Sequence, residues 1–396
     1  MFQLQPQFCF INYVTNKNMS DVYQESLELH LKNKGKLEIK SKVPLKTKDD
    51  LSLAYTPGVS EVCRLIAKDK SAALTHTMKG NMVAVISDGS AILGLGNLGP
   101  EAAIPVMEGK CILFKAFADV DAFPICLDTQ DTEEIIKTVK FLAPNFGGIN
   151  LEDISAPRCF EIEARLKAEL NIPVMHDDQH GTALVVLAGL INAIKLRGLD
   201  KENAKILING AGAAGLAITD LLLKYGFLNI IVCDSRGAIY SGRPDLNDEK
   251  VKIALRTNKE NVAGVLSEII KDQNIFVGVS QANLLSEEMV ISMSERPIIF
   301  ALANPTPEIM PEAAKRAGAF IVATGRSDFP NQLNNVLAFP GIFRGALDNK
   351  VAQITDLMLT RAAENLASLV TTPNQELILP DPFNPEVAKT VAKAIY

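Results

Sequence analysis

Apolar residues recur along this chain in two rhythms, and the switches between them mark its elements. Short unbroken apolar runs bounded by turn residues read as strands buried on both faces, whereas apolar residues spaced by three and four read as amphipathic helices. The first rhythm predicts strands at NMVAVIS (81–87), CILFKAF (111–117), AFPICLD (122–128), GGINLED (147–153) and IPVMHDD (172–178). A second series follows at AKILING (204–210), LNIIVCD (228–234), NIFVGVS (274–280), PIIFALAN (297–304) and AFIVATG (319–325). The second rhythm predicts helices over 21–32, over IIKTVKFL behind the capping pair Asp131 and Glu134, over 156–170, over TALVVLAGLINAIKLRG and from Gly345 onward. Strands alternating with helices predict an α/β protein with parallel sheets.

Composition narrows the classes. A chain of 396 residues, 47% of them hydrophobic, is long enough for two domains with separate cores. Its 40 Lys and Arg against 46 Asp and Glu give a net charge of −6, with no basic block to follow a phosphate backbone, so nucleic acid is excluded as a partner. Six cysteines without a C-x-x-C read as reduced thiols, which predicts a cytoplasmic protein. The first residues lack the positive start and continuous apolar run of a signal peptide, and no run reaches membrane-spanning length, so no membrane partner is expected.

Two constellations carry chemistry. Strand AKILING leads into Gly210-Ala211-Gly212-Ala213-Ala214-Gly215 and then a helix, and the next strand ends in Asp234. This is a full dinucleotide fingerprint: glycines for a tight turn, a helix N-terminus for pyrophosphate, and an acid for the ribose hydroxyls. Asp234 favours NAD, while Arg236 two residues on leaves NADP open; a Gly-rich turn without ligand is the plainer reading. The earlier GLGNLG (94–99) matches the glycine pattern but lacks the following acid-ended strand, and reads as a substrate-side loop. The second constellation is acidic. Glu152-Asp153 and Asp177-Asp178 both end apolar strands, where ligand crevices of open α/β sheets lie. Three or four carboxylates without a thiol make a hard oxygen site suited to Mg²⁺ or Mn²⁺, although each acid could instead cap the helix that follows it.

With these in place, the chain resembles the malic enzymes of the short bacterial type. The matching stretches are LAYTPGV (53–59), SDGSAILGLGNLG (87–99), PVMEGK (105–110), LEDI (151–154), HDDQHGTA (176–183), GAGAAG (210–215), ALANPTPE (301–308) and NNVLAFPG (334–341). The resemblance implies oxidative decarboxylation of (S)-malate to pyruvate and CO₂ with NAD or NADP and a divalent metal. It assigns the general acid to Tyr55, the general base to Lys110, and a place beside that base to Asp177. Metal ligation falls to Glu152, Asp153 and Asp178, and contacts with substrate or nicotinamide to Asn304 and Asn335. One departure stands out: larger members carry an arginine where this chain has Ala91, so another group must meet the second carboxylate of malate. The competing readings are an NADP-preferring enzyme and a catalytically silent dinucleotide sensor.

The expected organisation is then a loosely ordered extension over 1–19, a catalytic and metal-binding α/β domain over 20–180, a Rossmann-type domain over 181–345 and closing helices over 346–396, with a hinge near 178–184. The helical segment over 22–32 and the resemblance together predict a homodimer, with Tyr55 contributed across it.

Overall fold

A computed structural model describes residues 19–396 of the protein, so the predicted extension lies outside the described residues except for Met19. Two compact units divide the chain, one ending at Ile39 and one running from Lys40 to Tyr396. In the first, α1 (Met19–Asn33) forms where the spacing predicts a helix. The second opens with α2 (Lys48–Ala54), α3 (Val59–Lys68) and α4 (Ala73–His76). Thr47 and Asp50 start α2 with reciprocal side-chain to backbone bonds.

The first sheet contains β1 (Met82–Ser87), β2 (Asp121–Cys126), β3 (Gly148–Leu151) and β4 (Val174–His176), all parallel in the order β2-β1-β3-β4. Parallel neighbours need long crossovers, supplied by α5 (Pro100–Ala118), α6 (Thr132–Leu142) and α7 (Arg158–Glu169). Here one expectation fails: CILFKAF is the second half of α5, not a strand. Its β-branched and aromatic residues suit a strand. Yet Met107, Cys111, Phe114 and Ala118 recur at helical spacing, and all are buried on one face. Phe114 meets Phe339 and Phe343 edge-on at 4.7 and 5.4 Å between ring centroids. Asp131 does cap α6, accepting from the Glu134 N–H at 2.9 Å, but the Glu134 carboxylate takes the Thr129 hydroxyl instead of closing the box.

The next helix, α8 (Asp177–Arg197), starts where β4 ends and runs unbroken through the residues expected to form a hinge. It is long and apolar enough to cross a membrane, but 72% of that stretch is buried inside the protein. One apolar core passes from Val85 and Phe114 through Val186 and Leu190 of α8 to Ile208 and Phe300 beyond it.

Those last residues belong to a six-stranded sheet: β5 (Lys205–Asn209), β6 (Asn229–Asp234), β7 (Gly237–Ala238), β8 (Ile275–Gly278), β9 (Ile298–Ala301) and β10 (Ile321–Thr324). The order is β10-β9-β8-β5-β6-β7, parallel except for the β6-β7 hairpin. Helices α9 (Ala213–Tyr225), α10 (Asp248–Ala254), α11 (Leu266–Ile269), α12 (Glu287–Ser292) and α13 (Pro311–Arg316) connect the strands. Finally α14 (Phe339–Asp348), α15 (Asp356–Ser368) and α16 (Glu386–Ala392) close the chain, the first starting ahead of Gly345. From β5 the chain departs to β6 on one side and returns to β8 on the other. The carboxyl end of β5 is therefore the switch point at which such sheets bind ligands.

Candidate active site

Lys110 is the centre of the acidic cluster. The buried stripe of α5 turns it inward, 7% exposed, and its Nζ donates to Asp177 Oδ2 at 2.7 Å and lies 2.9 Å from Glu152 Oε1. The ammonium also stands 4.4 Å from the centre of the Phe339 ring. Asp177 and Glu152 are 0% and 3% exposed, so one cation faces two buried carboxylates. Asn150, two residues before Glu152 on the same side of the strand, donates to Glu152 Oε2 at 2.9 Å. Gly181, one helical turn beyond Asp177, leaves room for that side chain: a Cβ there would stand 1.9 Å from Asp177 Oδ1.

Beside Lys110, Glu152, Asp153 and Asp178 each present an oxygen within 4.8 Å of the others. Asp178 does not cap its own helix; its Oδ2 accepts from the Asp153 N–H at 2.9 Å and fastens the two acidic turns together. Asp153 Oδ2 is buried and has no hydrogen-bond partner among the described residues. Three hard oxygens with one orphaned acceptor suit a small divalent cation, and no histidine is among the three grouped residues. His176 is fully buried, and burial lowers its imidazole pKa; His180 Nε2 lies 2.9 Å from Glu163 Oε2, outside the cluster.

Electrostatics follow from packing four acids around one amine. Burial pulls the Lys110 ammonium down, but Asp177, Glu152 and Asp178 outweigh it and hold the pKa well above the lysine range. Among the acids, burial pushes Asp153 up to about 9, with Asp178 and Glu152 adding to it, and Asp177 up to about 8 against the pull of Lys110. Glu152 and Asp178 are raised as well, chiefly by burial.

The glycine turn has the geometry of a phosphate cradle. Gly210 sits at φ +122 with its missing Cβ 2.6 Å from Val279 O, and a Cβ on Gly215 would stand 1.7 Å from Gly210 O. Gly212 faces open space at the start of α9, where a Cβ would fill the approach of a ligand to the N–H groups of Ala213 and Ala214. Asp234 lies at the end of β6 as expected, but its carboxylate is not free. Its Oδ2 accepts from Arg243 Nη2 and Lys250 Nζ at 2.6 Å each, and its Oδ1 from the Arg236 N–H at 3.0 Å. Burial opposes this, yet Arg243 and Lys250 win and bring Asp234 down to about 2. Sequence reading missed this pair; the available signal was two cations within sixteen residues of the acid.

The two halves meet at the asparagines. Asn304 follows β9, and a Cβ on Gly94 of the glycine loop after β1 would come within 2.9 Å of its carbonyl oxygen. Asn335 lies beside α8, its Cβ 3.2 Å from where a Cβ on Gly181 would stand. Tyr55 is the exception. It caps the end of α2, is 67% exposed, and among the described residues no hydrogen bond, ion pair or ring contact joins it to the Lys110 centre.

A parallel sheet with a glycine-lined phosphate turn, next to a lysine among buried carboxylates, defines an α/β oxidoreductase of the dinucleotide-binding class. Family models agree: residues 34–167 match the malic enzyme N-terminal domain and residues 179–396 the malic enzyme NAD binding domain. The chain belongs to the malic enzyme family. It is 58% identical over 375 residues to the bifunctional malic/malolactic enzyme of Bacillus subtilis, covering 94% of this chain and 92% of that one. It is 56% identical to the NAD-dependent malic enzyme of Geobacillus stearothermophilus, over 91% of this chain and 76% of the other. The crystal structure of an NAD-dependent malic enzyme from Thermotoga maritima superposes with a TM-score of 0.91 at 50% identity, over 93% of this chain and 98% of that one.

Proposed function

We propose that this protein oxidises (S)-malate at C2 with NAD⁺ and releases its C4 carboxylate as CO₂, leaving pyruvate. The observation that carries the reading is Lys110, a buried amine bonded to Asp177 and Glu152 at the edge of an oxygen-only triad. Lys110 takes the C2 hydroxyl proton, and Gly210 to Gly215 would hold NAD⁺, which would supply the acceptor for the C2 hydride. A divalent cation, Mg²⁺ or Mn²⁺, held by Glu152, Asp153 and Asp178 would polarise the C2 oxygen and engage carboxylates whose charge otherwise keeps Lys110 protonated. Asp177 keeps the amine in position. Asn304 and Asn335 orient substrate and nicotinamide. Absorbance of the reduced cofactor, followed with malate and Mn²⁺ with and without EDTA, tests the reading: metal-dependent reduction is expected, and its absence with either cofactor defeats it.

Carbon-3 gains a proton once CO₂ has left, and we assign it to Tyr55. Because Tyr55 stands exposed and apart from its own Lys110, it serves the centre of a second copy in a homodimer. Exposed apolar neighbours supply the contact surface: Val43, Leu45, Leu51 and Leu53 are 58, 64, 48 and 78% exposed. Light scattering should give twice the 42.9 kDa chain mass. Mixing refolded Tyr55→Phe and Lys110→Ala chains, each inactive alone, should restore about one quarter of wild-type activity, since half the dimers are mixed and each has one whole site. A monomer, or no recovery on mixing, would place Tyr55 elsewhere.

Asp234 makes NAD⁺ the acceptor proposed here, but Arg243 and Lys250 neutralise the charge that would repel a 2′-phosphate. NADP⁺ should therefore be used within about tenfold of NAD⁺ in kcat/KM, a difference of about 1.4 kcal/mol. Lys250→Met should widen the gap in favour of NAD⁺. An unchanged ratio in that variant would show that Lys250 does not reach the 2′ position.

A further inference from the structure

Glu308 is 0% exposed, and among the described residues its carboxylate is met by backbone and by no cation. A carboxylate so placed is costly unless hydrogen bonds replace its hydration. Two backbone donors do so: Oε1 accepts from the Ser280 N–H at 3.0 Å and Oε2 from the Ala303 N–H at 3.1 Å. Burial raises its pKa, and these two N–H groups lead the pull against it. Gly278, at the end of β8, makes the room, since a Cβ there would stand 2.4 Å from Glu308 Cδ. The Glu308 carbonyl is tied to the same side, accepting from the Leu285 N–H at 3.0 Å.

The two N–H groups belong to the loops that follow β8 and β9. On the β8 side, Ser280 Oγ accepts from Asn209 Nδ2 at 2.8 Å, and Asn209 Oδ1 accepts from Cys233 Sγ at 3.1 Å. Asn209 directly precedes Gly210 of the phosphate cradle, and Cys233 directly precedes Asp234. On the β9 side, Ala303 directly precedes Asn304. One bonded path therefore joins the strands that carry the nucleotide turn to the loop that presents Asn304. That asparagine is closely fitted as well as exposed. A Cβ on Gly94 would stand 2.9 Å from its carbonyl oxygen, and a Cβ on Gly325 would stand 2.9 Å from its Nδ2.

We propose that Glu308 is a positioning residue for malate oxidation: its carboxylate spans the two loops and sets where Asn304 stands relative to the phosphate cradle. Glu308 is sealed from substrate and cofactor and acts only through Asn304. Misplacing such a group by about 1 Å can cost about 10²-fold in rate. The kinetic effect rests on the malate reading; the span between the loops does not.

Glu308→Gln keeps the shape of the side chain but leaves one carbonyl acceptor for two N–H groups, so the span opens at one end. With saturating NAD⁺ and well below Tm, kcat/KM for malate should fall about tenfold or more. On an Asn304→Ala background the same change should cost less than about threefold, because the residue through which Glu308 acts is gone. A merely structural role predicts equal losses on both backgrounds, and that result overturns the proposal. Gly278→Ala crowds the carboxylate without removing its charge and should repeat the pattern, which supplies the test if Glu308→Gln does not fold. Hydrogen exchange reads the span without substrate: the Ser280 or Ala303 amide should exchange about tenfold faster or more in Glu308→Gln, with the amides of β10 unchanged. Unaltered exchange at both amides overturns the span. If exchange responds as expected while wild type turns over no malate, the span stands and the malate reading falls.

Discussion

Lys110→Arg should lower kcat for malate oxidation by about 10²–10⁴-fold while leaving NAD⁺ binding intact. The substitution is chosen for its charge. Arginine preserves the cation that faces Asp177 and Glu152, but its guanidinium cannot release a proton in a protein and so cannot act as a base. Lys110→Ala should lose as much activity and cost stability too, because it leaves two carboxylates buried without their counter-charge, a loss of about 3–5 kcal/mol when one partner of a buried pair is removed. Comparing the two variants separates the roles: equal loss of kcat with unequal loss of Tm marks Lys110 as the base. NAD⁺ affinity, measured by fluorescence, should match wild type in the arginine variant. If turnover survives in both variants, the base lies elsewhere. If wild type binds NAD⁺ and never reduces it, the protein is a dinucleotide sensor.

Most of the architecture could be read from hydrophobic pattern, because strands such as β1 and β8 are buried along their whole length and leave no polar residue to confuse the period. The failure at 111–117 has a physical source. A helix packed on several sides, as α5 is by the first sheet, α14 and α16, tolerates the same dense apolar composition as a buried strand, and only the spacing of its most buried residues separates the two. That spacing matters for the site, since it turns Lys110 inward beside Cys111. The acid pairs were legible because adjacent carboxylates at strand ends are costly and must be neutralised. What neutralises Asp234 was not, because Arg243 and Lys250 arrive from a later loop and from α10, joined to the acid only by folding. Tyr55 shows a different limit: it stands exposed at the end of α2, and among the described residues nothing joins it to the Lys110 centre, so no pattern along the chain could place it in the site.

Removing divalent metal should abolish turnover and lower Tm, and the loss of Tm should grow with pH. The sign follows from the raised acids. Asp153 near 9 and Asp177 near 8, with Glu152 and Asp178 also raised mainly by burial, bind protons in the folded protein that the unfolded chain gives up from the ordinary values of 3.8 for aspartate and 4.5 for glutamate. Between about pH 4 and 9 the metal-free folded state therefore holds more protons than the unfolded state, and its stability falls as pH rises. A bound cation reverses the dependence, because it binds the ionised carboxylates and competes with protons for them. At a hundredfold excess over its Kd it should add about 2.7 kcal/mol. Melting curves in Mn²⁺ and in EDTA should thus lie close together near the acid end of this range and diverge towards pH 8. Asp178→Asn should collapse that divergence, since the amide cannot supply the charge of the third ligand, while the Asp153 N–H keeps an oxygen to bond. Curves that stay parallel across the range, or an EDTA-treated protein that still oxidises malate, would remove the metal from the triad and leave Lys110 as the counter-charge to the acids around it.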